Sequence, residues 1–271
     1  MPELPEVEGV RRSLEPHLLG SAITAIHLHR DDFLLPCGYQ PRQLIGLAFT
    51  QTHRHGKKLF CSVGDGPTLL VHLGMSGRVD CVPLAAPVLS HTHVTVNLAN
   101  GLSVRFRDPR RFGGLWLYDT RAHALEAQTA ALGPDALTLT RAHLAHFAHS
   151  TGRLKARLLS QRDVAGLGNI YVDESLWMTG LHPLQLVRRI PPDALAKLIG
   201  NIRLVLRRSI RAGGTSFRSY RNALDEPGAF LRKLQVYGRG GKPCLRCGQV
   251  LQILTVAGRT TVVCPRCQKR R

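Results

Sequence analysis

The chain has 271 residues, with 37 Lys and Arg against 18 Asp and Glu, a formal net charge of +19. Its 44% hydrophobic content fits a globular protein long enough for two domains and a small module. No apolar run approaches the roughly 20 residues of a membrane-spanning helix. The acidic, proline-rich start is unlike a secretory leader, so a cytoplasmic, nucleoid-associated protein is expected.

The charge exceeds what solubility needs and points to a polyanion, nucleic acid above all. Its distribution sharpens this, because residues 227–271 hold ten Lys and Arg and no acid.

The chain opens Met1-Pro2-Glu3-Leu4-Pro5-Glu6. Removal of Met1 would leave Pro2 as a free secondary amine. An α-amino group titrates at roughly 7.7–8.0, so part of it is nucleophilic at neutral pH. An amine attacking a carbonyl-level carbon forms a Schiff base, and Glu3 stands one residue away as acid or base. The same residues also read as an ordinary helix start, with early proline and first-turn acids. Locally, both readings stand. Val7, Val10, Leu14 and Leu18 have helical spacing, and Gly20 suits the helix end.

Residues from about 21 to 118 read as β-structure. Alternation over 21–29, 94–98 and 102–106, with Asn100-Gly101 between the last two, predicts strands and a hairpin. Residues 69–72 and 114–118 supply further short strands. Many short strands separated by turns suggest an antiparallel sandwich or barrel.

Near Thr120 alternation gives way to helical spacing, and Gly133-Pro134 marks a junction. Helices are predicted at about 140–148, 151–160, 170–179 and 192–212. The last carries the clearest apolar stripe, from Leu195 to Ile210. The polar stretch 215–227 reads as a long loop of the kind that carries function. The resulting domains are 1–120, a linker at 121–135, a helical domain at 136–226 and a basic module at 227–271.

Cys37, Cys61 and Cys81 are isolated and suit core or sub-surface packing. Cys244, Cys247, Cys264 and Cys267 form two C-x2-C pairs, a spacing typical of structural zinc. Four thiolates make a closed tetrahedral site, a staple for a small module. Between the pairs, 251–256 and 260–263 predict a hairpin with Arg259 at its tip, shaped to meet phosphates.

Gly166-Leu167-Gly168-Asn169 separates two helical segments and offers a helix N-terminus to a phosphate. Met75 lies in a glycine-flanked turn from His72 to Gly77, and Arg110 and Phe112 in another from Asp108 to Gly114. Apolar wedges in such turns suit proteins that open a base stack. Lys57 and Lys58 lie on a strand after His55-Gly56.

Six stretches occur in one order: residues 1–8, His72–Gly77, Asp108–Gly113, Gly168–Tyr171, Gln235–Arg239 and the four cysteines. Together they resemble the bacterial formamidopyrimidine-DNA glycosylases over essentially the whole chain. The resemblance implies an α+β multidomain fold: an N-terminal helix with an antiparallel β-sandwich, a helix–two-turn–helix domain and a four-cysteine zinc finger hairpin. It implies excision of oxidised purines from damaged double-stranded DNA, with strand cleavage by β,δ-elimination, one structural Zn2+, and action as a monomer.

Carried over residue by residue, Pro2 is the nucleophile and Glu3 the catalytic acid, with Lys57 and Arg259 completing the catalytic set at the lesion phosphates. His72, Arg110, Lys155, Asn169, Tyr237 and Arg239 are implied DNA contacts. Met75, Arg110 and Phe112 fill the gap left by the extruded base, and Glu6 takes part in lesion recognition. Lys58 stands where the family often has an aromatic residue, which leaves its role open. The 215–228 loop aligns with the segment over the damaged base. Two alternatives share these features: an endonuclease VIII-like enzyme for oxidised pyrimidines, and a non-catalytic damage-binding protein.

Overall fold

The computed structural model describes residues 2–143, 149–216 and 220–270. They form two compact units.

The first unit comprises the chain up to Ala130 together with Ala212–Ala229. It begins with helix α1 (Leu4–Leu18), which has Glu3 at its N-cap and a proline in its first turn. Val7, Val10, Leu14 and Leu18 form its buried stripe, and Gly20 leaves it at φ +77°. Nine strands follow: β1 (Ile23–Leu28), β2 (Leu34–Cys37), β3 (Phe49–His55), β4 (Lys58–Val63), β5 (Thr68–His72), β6 (Arg78–Pro83), β7 (Thr92–Leu98), β8 (Leu102–Arg107) and β9 (Gly114–Tyr118). One sheet has the order β1-β7-β8-β6 and the other β2-β9-β5-β4-β3.

Both sheets supply the core. Val79, Val94, Val96 and Phe106 from one cluster with Leu59, Val71, Leu115 and Leu117 from the other, and α1 closes the side. Burial from both faces explains why β4 and β5 read as unbroken apolar runs rather than alternating ones. Among the described residues the strands pair antiparallel except β2 with β9, which is parallel. The β7–β8 hairpin is as predicted from Asn100-Gly101.

Helix α2 (Arg121–Thr129) occupies residues assigned to a linker by sequence. Ala124 packs on Phe60, Leu70 and Tyr118, which joins the helix to the first unit. Residues 212–229, of which sequence assigned 212–226 to the helical domain and 227–229 to the basic module, also pack in the first unit. Cys81 N donates to Ala223 O (2.7 Å), and Ala223 N to Ser13 Oγ (2.9 Å).

The second unit holds Ala131–Arg211 and the chain from Phe230 onward. Its helices are α3 (Leu154–Leu159), α4 (Asn169–Thr179) and α5 (Pro192–Arg211). The predicted 140–148 helix lies largely outside the described residues. Gly180 ends α4 at φ +80°, and Gly213 follows α5 at φ +73°. Strands β10 (Gln252–Val256) and β11 (Arg259–Val263) form the cysteine-flanked hairpin. Its turn is Ala257-Gly258, both at positive φ, so Arg259 is the first residue of β11 rather than part of the turn.

Candidate active site

The start of α1 is built by reciprocal capping. Glu3 O accepts from Glu6 N and Val7 N, both at 3.1 Å, and Glu6 Oε2 accepts from Glu3 N at 2.9 Å. Glu3 is 3% exposed and Glu6 2%, so both carboxyls sit in the protein next to half-buried Pro2. The other Glu6 oxygen accepts from Thr215 N (2.8 Å), and Tyr220 Oη donates to Glu6 O (3.1 Å). Burial, then the Glu6 carboxylate, pushes the Tyr220 phenol up, so it stays a donor.

Close approach here requires glycine. A β-carbon on Gly9 would lie 2.3 Å from Tyr220 Oη. Glu6, expected at the lesion, is thus occupied in holding the Glu3 backbone and Thr215. Glu8 is an anchor of another kind. Burial would raise its carboxyl, but bonds from Arg11 and Arg12, with Arg54 adding charge, hold it below the usual range.

The two glycine-rich turns are one structure. Asp108 is fully buried and its carboxylate gathers both turns, accepting from Ser76 Oγ (2.5 Å), Arg110 N (3.2 Å) and Gly113 N (2.7 Å). Gly74 has φ +57°, and a β-carbon there would lie 2.3 Å from the Phe112 carbonyl carbon. The turns therefore cross at a contact that excludes side chains. Met75 is left 38% exposed and Phe112 54%, with the Arg110 guanidinium 4.7 Å above the Phe112 ring. Met75, Phe112 and the stacked Arg110 thus stand exposed on a rigid base.

Lys58 faces His72 across the β4–β5 pair. Its Nζ donates to Gln128 O and Oε1, both at 2.7 Å, so it ties β4 to α2. Burial, with Lys58 and Lys57 nearby, depresses the His72 pKa and favours the neutral imidazole.

In the second unit, buried charges set the nucleic-acid elements. Lys155 is 0% exposed and its Nζ lies 2.6 Å from Asp173 Oδ1. This corrects the reading of Lys155 as a DNA contact: the side chain points into the protein, where it braces α4. Asp173 Oδ2 accepts from Val262 N (3.1 Å), so the pair also holds β11. Burial raises Asp173 to about 6 against the pull of Lys155.

Asn169 Nδ2 donates to Thr260 O (2.8 Å), which joins the start of α4 to the strand carrying Arg259. The start of α4 and the strand carrying Arg259 are thus tied together, with Arg259 exposed. The Glu174 carboxylate, raised by burial, accepts from the N–H groups of Gln235, Val236 and Tyr237 at 2.9–3.0 Å. It fixes the loop bearing half-buried Tyr237 and Arg239, and Arg239 Nη2 donates to Pro243 O (3.1 Å).

Sequence reasoning missed Asp173, Glu174 and the organising role of Asp108. The available signal was two adjacent acids within α4, among Ile170, Val172, Leu176 and Trp177.

The Sγ atoms of Cys244, Cys247, Cys264 and Cys267 all lie within 4.8 Å of one another. None is in a disulfide. A tetrahedral zinc with bonds of about 2.3 Å demands such clustering, so the four residues fit one structural Zn2+. Trp177 Nε1 donates to Cys244 Sγ (3.4 Å), while the Arg246 guanidinium stacks 4.2 Å over the Trp177 ring. These contacts seat the finger on α4.

Comparison with known proteins agrees along the whole chain. Residues 1–115 match the formamidopyrimidine-DNA glycosylase N-terminal domain, 132–221 its H2TH domain, and 241–270 the zinc finger found in FPG and IleRS. The formamidopyrimidine-DNA glycosylase of Xanthomonas oryzae pv. oryzae is 40% identical over 276 residues, covering 99% of this chain and all of the relative. That of Shewanella halifaxensis is 36% identical over 272 residues, with 99% and 100% covered. Among solved structures, a Lactococcus lactis FPG mutant in complex with Fapy-dG-containing DNA is 35% identical with a TM-score of 0.91, covering 99% of this chain and all of that one. The L. lactis Fpg complex with abasic-site DNA has the same identity and coverage, with a TM-score of 0.89. The chain therefore belongs to the formamidopyrimidine-DNA glycosylase family.

Proposed function

We infer that this protein is a DNA glycosylase that excises oxidised purines from damaged double-stranded DNA and then cleaves the abasic strand. The observation that carries the reading is the Pro2-Glu3 start: a potential secondary amine beside a buried carboxyl, held by the Glu3–Glu6 capping box.

Once Met1 is removed, the Pro2 nitrogen attacks C1′ of the extruded nucleotide and displaces the base. Because the amine is secondary, the covalent adduct becomes an iminium directly. That iminium is the electron sink for loss of the C2′ proton and departure of the 3′ phosphate, and then for the second elimination. Glu3 supplies and accepts protons at the sugar. Lys57, His72, Asn169 and Arg259 serve the phosphates, as Tyr237 and Arg239 serve the strand. Met75, Arg110 and Phe112 occupy the vacated stack. The four cysteines hold zinc as a staple, and it takes no part in the reaction. On this reading the enzyme works in the cytoplasm, at the nucleoid, as a monomer.

Borohydride reduction during turnover of an 8-oxoguanine duplex should trap a protein–DNA adduct, and Pro2→Gly should suppress it strongly. Absence of any adduct with Met1-processed protein would leave the non-catalytic alternative. The pyrimidine alternative calls for a direct comparison, because one solved relative is the L. lactis enzyme with oxidised-pyrimidine DNA. Faster cleavage of a thymine glycol duplex than of an 8-oxoguanine duplex would favour it.

A further inference from the structure

Helix α3 ends at Leu159 and α4 begins at Asn169. The loop between them is organised by one side chain, half-buried Gln161. Its Oε1 accepts from Gly166 N (2.9 Å), and its Nε2 donates to Leu159 O (3.0 Å) and Leu167 O (2.8 Å). The amide thus spans the loop, from the last residue of α3 to the residue before Gly168. All its partners are backbone groups, so the bonds fix the path of the chain.

That path is an irregular one. Asp163 N and Val164 N turn back to Ser160 O at 3.1 and 3.3 Å, and Gly166 stands at φ +103°, a conformation suited to glycine. Residues 164–168 are buried, where an unmet backbone donor or acceptor is costly. Gln161 is itself held in place. Its carbonyl accepts from Gly133 N (2.8 Å), and a β-carbon on Gly133 would lie 2.5 Å from the Asp163 carbonyl carbon. Ala165 N donates to Pro134 O (2.9 Å) and Ala136 N to Ala165 O (3.0 Å), so the 133–136 chain runs along the loop as a strap.

The loop delivers Gly168, the N-cap of α4, and Asn169, whose amide reaches Thr260 O on the strand carrying Arg259. Resting on the reading of Asn169 as a phosphate contact, we propose that Gln161 is a positioning residue that sets Gly168-Asn169 against the DNA phosphate. A side-chain amide suits this task because it donates and accepts at once. Gln161 touches no DNA in this role. It acts through the phosphate contact of Asn169, and a phosphate contact leaves a signature in salt: each one adds about 0.9 to the slope of log K against log salt.

The test measures binding of a duplex carrying a tetrahydrofuran abasic analogue over a range of KCl concentrations. Gln161→Met keeps the length of the side chain and removes its three backbone bonds. It should weaken binding about tenfold at roughly 0.1 M KCl and lower the salt slope by about 1. Single-turnover base release from an 8-oxoguanine duplex should need more enzyme for half-saturation, with less than about a twofold change in the saturated rate. Gly166→Ala, which strains the donor that Gln161 accepts from, should lower the slope likewise and carries the same test if Gln161→Met does not fold. Asn169→Ala should lower the slope by about 1, and Gln161→Met/Asn169→Ala no further, because one residue acts through the other.

Weaker binding with an unchanged slope in Gln161→Met and Gly166→Ala would make the loop a support for stability only, and overturns the proposal. Unchanged binding does the same, as does a further fall of slope in the double variant. If Asn169→Ala leaves the slope intact, the phosphate reading of Asn169 fails and the role of Gln161 with it. A wild-type protein that binds the duplex yet neither releases a base nor cleaves overturns the glycosylase reading alone.

Discussion

The start of α1 and the zinc-finger hairpin are positioned by different means. At α1, uncharged backbone donors converge on one carboxylate: Glu6 takes Glu3 N on one oxygen and Thr215 N on the other. At the finger, charges deep in the unit set the position: Lys155–Asp173 grips β11, and Glu174 gathers three N–H groups of the 235–237 loop. The first arrangement ties the helix start to chain 209 residues away and needs tight geometry. The second meets one buried carboxylate with a lysine and the next with three backbone N–H groups, beside the four-cysteine metal site. A reaction centre requires a fixed backbone over a few residues, whereas a DNA-gripping module must be held as a body.

This contrast sets the scale of the expected losses. Zinc removal should cost most, because apparent metal-binding free energies of structural fingers are about 10–16 kcal/mol and act as folding energy. Chelation should expose the four thiols to a thiol reagent and abolish DNA binding; retained tight binding would show that the hairpin stands without metal.

Lys155→Met comes next. It strands Asp173 in the interior and should cost about 3–5 kcal/mol in urea unfolding. Adding Asp173→Asn should recover part of that loss, and if it recovers none the pair is not the unit that braces the finger.

Glu6→Gln should cost less, about 1–3 kcal/mol, because an amide accepts through only one of its two termini and leaves a buried N–H of Glu3 or Thr215 unmet. Its signature is a fall in the rate of Schiff-base trapping larger than any loss of DNA affinity. Unchanged trapping would mean that the Glu3 backbone needs no cap.

The smallest effect is that of pH on the first unit. His72 has a depressed pKa in the folded state, so below about 6.5 the unfolded chain binds a proton that the folded one refuses. Stability therefore falls as pH drops through that value. Glu8, whose carboxyl is also held low, extends the loss to more acid pH. Unfolding midpoints of wild type and His72→Asn should run parallel above about pH 6.5, and below it the wild type should fall more steeply. If the two profiles stay parallel throughout, His72 does not set that slope.

Much of this site was legible in the residues. Pro2-Glu3, the C-x2-C pairs and the Met75, Arg110 and Phe112 turns are defined by residue type and short spacing. So is the amphipathic α5, whose apolar stripe repeats with the helical period. The buried β4 and β5 were weakly legible, because two-sided burial erases alternation. Helix α2 passed for a linker because its short apolar face finds meaning only against Phe60, Leu70 and Tyr118.

By itself, the sequence determined the chemistry on offer: a potential amine nucleophile, a neighbouring acid, a zinc staple and a basic surface for DNA. Those properties belong to atoms close together along the chain. The tertiary structure alone decided which charges are tools and which are braces. The family resemblance casts Lys155 as a DNA contact and Glu6 in lesion recognition, yet they are 0% and 2% exposed and bonded within the protein. It alone brought Asp225 to Arg78 and Asn169 to Thr260, across 147 and 91 residues of chain. Contacts at that separation depend on the packing of whole sheets and helices, which no local pattern encodes.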